Sequence, residues 1–312
     1  MNSVPLIKTG SARCNAANCR RLLSALALCV GIAKIFPTAL AAPDEELLGQ
    51  ARGYPIGTRA TWYFDESVRV GSFSNLDKLL PHHVLKKSAA PLYLKRVATN
   101  PKLTYRFNGS TYTLDDYLDH QRATGLLVIK DGEILAERYQ YQRTAAHRFV
   151  SHSMAKSLVS IAMGFALAEK RIKSLDDKAS DYVPELKGNV YGETTLRNLL
   201  RMSSGVKFSE NYDGNDDLSK FSRMQSTRGT ISGLLLFGQR EAPQGERFHY
   251  ASIETSALGA VLRAATGSSL SDYLDERLWQ PMGAESDATW IIGPDGLERA
   301  AGNFNAVLRD YG

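Results

Sequence analysis

The chain of 312 residues predicts a mixed α/β fold of the α+β kind: an antiparallel sheet flanked by helices, with a helical subdomain. Three observations predict it. Gly125 to Lys130 and Glu133 to Tyr139 are apolar-rich runs separated by Asp131-Gly132, a pair that favours a two-residue hairpin turn. Met154 to Arg171 has no proline and carries Met154, Leu158, Ile161, Ala162, Phe165 and Ala166 at helical spacing. The middle of the chain is otherwise helical and loop-rich, without internal repeats or low-complexity tracts.

Taken in order, residues 1–41 read as an export signal. Lys8, Arg13, Arg20 and Arg21 make a positive n-region, Leu22 to Ala33 an apolar stretch too short to span a bilayer, and Ala39-Leu40-Ala41 a small-x-small cleavage site. Removing it takes away five basic residues, Lys34 included, so 38 Lys+Arg fall to 33 against 33 Asp+Glu. The mature chain is then neutral, which gives no case for nucleic-acid binding. All three cysteines, Cys14, Cys19 and Cys29, leave with the signal. The mature protein is expected to be periplasmic or secreted, held by an ordinary core without disulfides, and free of the membrane.

Residues 42–120 read as an aromatic-rich, irregular N-terminal extension on the main domain, broken at Gly53-Tyr54-Pro55, Gly57 and Pro81, with a short helix over Leu114 to His120. His82-His83 lack partners at ligand spacing and are expected in a surface turn, so no metal site is predicted. Residues 121–312 form the main domain. After the hairpin and the long helix, Leu175 starts a short segment ending near Pro184. A helix over Thr194 to Met202 is capped by Thr194 or Thr195 and stopped by Ser203-Ser204-Gly205. Asn211 to Asp217 is a polar surface loop without the terminal glutamate of an EF-hand. Helices are expected from Glu254 to Ala265, ending at Gly267, and from Ser271 to Leu278.

The chemistry concentrates in Ser153-Met154-Ala155-Lys156 and, about a hundred residues on, Tyr250-Ala251-Ser252. A serine hydroxyl needs a positioned proton acceptor to act as a nucleophile. If Ser153 opens the helix, Lys156 lies on the same face one turn later. A lysine kept from water favours its neutral form and can accept a proton, and a tyrosine beside it is a second candidate; either could be the base, so the three are read as one coupled unit. A second copy of the spacing, Ser204-Gly205-Val206-Lys207, falls in a turn that does not align its side chains. His152 adjoins the nucleophile and is expected to form part of the pocket wall.

Five motifs in order carry a family resemblance: the hairpin, Ser153-x-x-Lys156, Leu199-Leu200-Arg201-Met202-Ser203-Ser204-Gly205, Phe248-x-Tyr250-x-Ser252, and Leu278-Trp279-Gln280-Pro281-Met282-Gly283. From about Thr124 to Gly312 the chain resembles the serine β-lactamase and penicillin-binding-protein-like hydrolases. The branch is the class C-related one that includes esterases, D-amino-acid peptidases and 6-aminohexanoate-dimer hydrolases. Phe248 to Ser252 and the loop around Tyr212 look most similar to the last of these. The resemblance implies a β-lactamase/transpeptidase-like fold and hydrolysis of a small-molecule amide or ester through an acyl-enzyme on Ser153, without cofactor. It implies Lys156 as base, Tyr250 as proton relay to the leaving group, and substrate contacts from Tyr212, Ser252 and His152. Ser252 stands where class C β-lactamases usually carry asparagine, which weakens an antibiotic-hydrolysing reading.

The family's third motif, on a C-terminal strand that supplies an oxyanion donor, is not found. Asn303 to Gly312 is expected to begin the helix before that strand. The domain is therefore read as incomplete, with the Gly125–Tyr139 hairpin as most of its sheet, and a non-catalytic or inactive truncated protein is the alternative. Oligomeric state is not legible.

Overall fold

A computed structural model describes residues 42–99 and 101–312. The predicted export signal, 1–41, lies outside the described residues. The strands are β1 His82–Leu85, β2 Lys95–Arg96, β3 Thr104–Phe107, β4 Ser110–Thr113, β5 Gly125–Lys130, β6 Glu133–Tyr139, β7 Arg148–Val150, β8 Ala288–Ile291 and β9 Phe304–Val307. The helices are α1 Glu66–Phe73, α2 Leu114–His120, α3 Ala155–Ala168, α4 Leu196–Leu200, α5 Asp217–Arg228, α6 Thr230–Leu234, α7 Ser252–Thr266, α8 Leu270–Leu274 and α9 Leu308–Tyr311.

The hairpin forms as predicted. Asp131 (φ 52°) and Gly132 (φ 77°) both take the left-handed conformation that a two-residue turn between twisted strands requires. It is not most of the sheet, however. A four-stranded antiparallel sheet runs β1-β8-β9-β7, and the hairpin belongs to a separate three-stranded sheet, β2-β6-β5. Phe304–Val307 is a central strand and not the start of a helix; only Leu308–Tyr311 turns helical. Its four residues are all buried and the strand is flanked by β7 and β8, so tertiary pairing overrides the local pattern. Arg309 then forks onto Glu137 of β6, Nε to Oε1 at 2.9 Å and Nη2 to Oε2 at 3.1 Å, joining α9 to the second sheet.

Residues 42–120 hold more regular structure than their composition suggests. α1 is capped by Asp65, whose side chain accepts from the Ser67 N–H, and α2 occupies the predicted span behind a Thr113–Asp116 capping box. His82-His83 do not form a surface turn but open β1, the edge strand on β8. His83 Nδ1 lies 2.8 Å from buried Glu298 Oε1. Burial pushes Glu298 up, but the hydrogen bonds from His83 and Ser271 outweigh it and hold the carboxylate low.

The core lies between α3, α7 and the four-stranded sheet. α3 buries Ala155, Val159, Ala162, Met163 and Ala166, whereas Met154 and Ile161 of the predicted stripe are exposed. The buried face is mostly small because α7 packs closely on it, presenting Ala257 and Ala260 among its own buried residues. α7 is buried from Ser252 to Leu262 and ends at Gly267 in the left-handed conformation, as the sequence indicates. α4 is capped by Thr195, and α8 runs on into a π-helical turn, Asp275–Trp279. Among the described residues no helix is long and apolar enough to cross a membrane.

Candidate active site

Ser153 sits in a 3₁₀ turn, His152–Met154, that feeds directly into α3 rather than in the α-helix itself. The three-residue spacing still brings Lys156 to it: Nζ lies 2.8 Å from Ser153 Oγ. The same Nζ donates to the Ala301 carbonyl at 2.8 Å. Tyr250 Oη donates to Ser153 Oγ, also at 2.8 Å, and Lys156 Nζ stands 5.2 Å from the centre of the Tyr250 ring. Tyr250 is placed by its neighbour: the His249 N–H donates to Met202 O at 2.8 Å, and His249 Nε2 lies 2.7 Å from Phe208 O. One hydroxyl thus meets an amine and a phenol, a cluster through which a proton can leave the serine oxygen and reach a leaving group.

Ser153 opens onto a cavity of about 850 Å³. One wall comes from the N-terminal extension, through Trp62, Tyr63, Phe64 and Phe73. His152 lines it with positive φ (44°), its ring edge-to-face on Phe73 at 4.9 Å and Tyr63 at 6.0 Å. Burial, then Lys156, lower its pKa, so it is a neutral imidazole at pH 7.

Tyr212 and Ser252 also line the cavity, but their hydroxyls are engaged. Glu210 accepts from Tyr212 Oη at 2.7 Å, from Ser252 Oγ at 2.7 Å and from the Ser252 N–H at 2.7 Å. Burial and then the Glu210 contact raise the Tyr212 pKa. Tyr212 has φ 61°, its N–H held by Asp216 Oδ2 at 2.8 Å. Glu210 ties the 209–217 loop to the start of α7. Nothing in the local sequence marks it, because its partner is 42 residues away. Ser204 of the second S-x-x-K copy is buried and donates to Glu254 Oε1 at 2.7 Å, a structural contact. Among the described residues no group of three or more His, Cys, Asp or Glu side chains could hold a metal.

The fold and these motifs define a protein class that sequence comparison names. The β-lactamase family profile matches residues 113–302, and the chain belongs to that family. It is 26% identical over 247 residues to a 6-aminohexanoate-dimer hydrolase of Paenarthrobacter ureafaciens, covering 77% of this chain and 62% of that protein. It is 24% identical over 192 residues to protein flp of Staphylococcus aureus, covering 56% and 37%. A Bacillus anthracis structure provisionally designated a 6-aminohexanoate-dimer hydrolase superposes with a TM-score of 0.71 at 22% identity, covering 79% of this chain and 67% of that one. The fold is thus β-lactamase/transpeptidase-like, and the chain spans less than two thirds of the length of these two curated relatives.

Proposed function

We propose that this protein is an exported serine hydrolase that cleaves amide or ester bonds of small molecules, similar to the 6-aminohexanoate-dimer hydrolases. The observation that carries the reading is Ser153 Oγ held at 2.8 Å by both Lys156 Nζ and Tyr250 Oη at the cavity wall. Ser153 Oγ attacks the substrate carbonyl carbon and gives its proton to the Lys156–Tyr250 pair. The tetrahedral intermediate collapses, the C–N or C–O bond breaks, and the pair returns the proton to the departing amine or alkoxide. Water then attacks the Ser153 ester, loses its proton to the same pair, and releases the acid with the serine restored. Metals and cofactors have no part in this route. His152 and the aromatic wall would shape the acyl pocket, and Glu210 would hold Tyr212 and Ser252 in place.

A fluorophosphonate probe tests it. Stoichiometric labelling that disappears in Ser153→Ala supports the acyl-enzyme; a folded chain that never labels is a binding protein instead. Comparing 4-nitrophenyl esters with 6-aminohexanoate dimer then separates esterase from oligomer hydrolase. Export follows if the N-terminus isolated from the producing cell begins near Ala42.

A further inference from the structure

The cavity in front of Ser153 carries more positive than negative charge. Arg59, Arg69, Arg223 and Arg299 reach its wall, and Glu210 is the carboxylate among its lining residues. Three of the four arginines have ordinary surroundings. Arg69 pairs with Glu66 at 3.4 Å; Arg59 and Arg223 have no carboxylate partner either, but both are exposed and donate to the Leu79 and Gly214 carbonyls. Arg299 differs. Its side chain makes one hydrogen bond among the described residues, Nη2 to Ser226 Oγ at 2.6 Å, and its Nε is buried with no partner. Its neighbour Glu298 is committed elsewhere, to His83 and the backbone N–H groups of Leu270 and Ser271. Burial lowers the Arg299 pKa with no carboxylate opposing it.

A partly buried guanidinium with no counter-ion and its Nε shut off from water is unfavourable, and its fork of N–H donors matches a carboxylate in two parallel bonds. Arg299 stands two residues before Ala301, whose carbonyl holds Lys156 Nζ. Two residues of extended chain span at most about 7 Å. Ser153 and this cation without a counter-ion line one cavity, and a short turn links the cation to the carbonyl that holds Lys156.

We propose that Arg299 is a specificity-determining residue that binds a carboxylate of the substrate, so that the preferred substrates are amides or esters bearing a free carboxylate. This rests on the hydrolase reading of Ser153 only for its catalytic part. One partly buried guanidinium on Ser226, the other three arginines being exposed or ion-paired, suits a singly charged planar anion better than a phosphate dianion.

Binding is read first, on full-length Ser153→Ala protein by calorimetric titration. Hexanoate is expected to bind about ten-fold or more tighter than hexanamide, the strength of charge-assisted hydrogen bonds. Adding Arg299→Gln should erase that preference, and Arg299→Lys, which keeps the charge but not the fork, should keep part of it. Equal affinity for both probes, or a preference that survives Arg299→Gln, overturns the proposal. Turnover then locates the carboxylate. Mono-4-nitrophenyl adipate against 4-nitrophenyl hexanoate places it on the acyl side, and N-acetyl-6-aminohexanoate against N-acetylhexylamine on the leaving side. In one pair the kcat/KM ratio should fall about ten-fold or more in Arg299→Gln, with the neutral substrate serving as the control for folding. If both pairs turn over with no charge preference, the proposal fails and the hydrolase stands. If nothing turns over but hexanoate still binds through Arg299, the hydrolase reading fails and the anion site stands.

Discussion

The carbonyl of Ala301 accepts a 2.8 Å hydrogen bond from Lys156 Nζ, across 145 residues of sequence. The turn between β8 and β9 thereby fixes the amine that faces Ser153, and the same turn carries Arg299 and Gly302 into the cavity wall. What positions this turn also positions that amine.

Gly259 of α7 is one such support. A Cβ there would stand 2.6 Å from the Ala300 Cβ, closer than two carbons can approach. Gly259→Ala should push the 299–303 turn outward, destabilise the protein by about 1–3 kcal/mol as overpacked cores do, and lower kcat through the Lys156–Ala301 contact. Thermal melting and ester kinetics on one preparation check both; a variant with unchanged kcat would separate the turn from catalysis.

Lys156→Ala and Tyr250→Phe each remove one partner of Ser153 Oγ. Each should slow acylation by about 10²–10⁴, the usual worth of a general acid or base, and the double variant by less than the product, because the groups act together. Stopped-flow release of 4-nitrophenol reads the acylation step. Multiplicative losses would contradict a coupled unit.

Glu210→Ala strips the acceptor from Tyr212 Oη and from both Ser252 donors. Hydrogen bonds to a charged group are worth about 1.5–3 kcal/mol each, with part recovered from water at this half-open site. The expected result is a loss of about 2–4 kcal/mol in urea unfolding, with KM rising more than kcat falls because the 209–217 loop loosens. An unaltered KM would leave Glu210 a purely structural anchor.

Glu254 sets a pH dependence of stability. Burial pushes its pKa from 4.5 up to about 7, against the smaller opposing effect of the Ser204 hydrogen bonds. The folded state holds a proton that the unfolded chain releases near 4.5. That contribution is complete below about pH 4.5 and is lost as pH rises through 7. Between pH 5 and 8 the wild type should lose about 2 kcal/mol relative to Glu254→Gln, which has no proton to release. Urea unfolding of the pair at several pH values measures the difference, and parallel curves would rule out a raised pKa.

His83→Ala leaves the buried Glu298 carboxylate without its 2.8 Å partner. The expected cost is about 1–3 kcal/mol at pH 7. His83 is itself raised by the Glu298 hydrogen bond, so its contribution should fade as pH climbs above its folded pKa. A variant as stable as wild type at pH 6 would show that water replaces the imidazole.

Short-range chemistry is what the order of residues makes legible. Asp131-Gly132 had to turn because two adjacent residues there tolerate positive φ, Gly267 had to end α7, and Ser153 and Lys156 had to share a face because three residues make nearly one helical turn. The family motifs were legible for the same reason, as local patterns repeated in order. Tertiary structure alone decided the rest. Phe304–Val307 became a strand because β7 and β8 flank it, and the α3 face that packs inward is the small one because α7 needs the space. The bond of Glu210 to Ser252, the aromatic wall of the N-terminal extension, the Ala301 clasp on Lys156 and the Arg299–Ser226 bond join residues far apart along the chain. No periodicity encodes such pairs: their energies depend on burial and mutual distance, which exist only once the chain has folded.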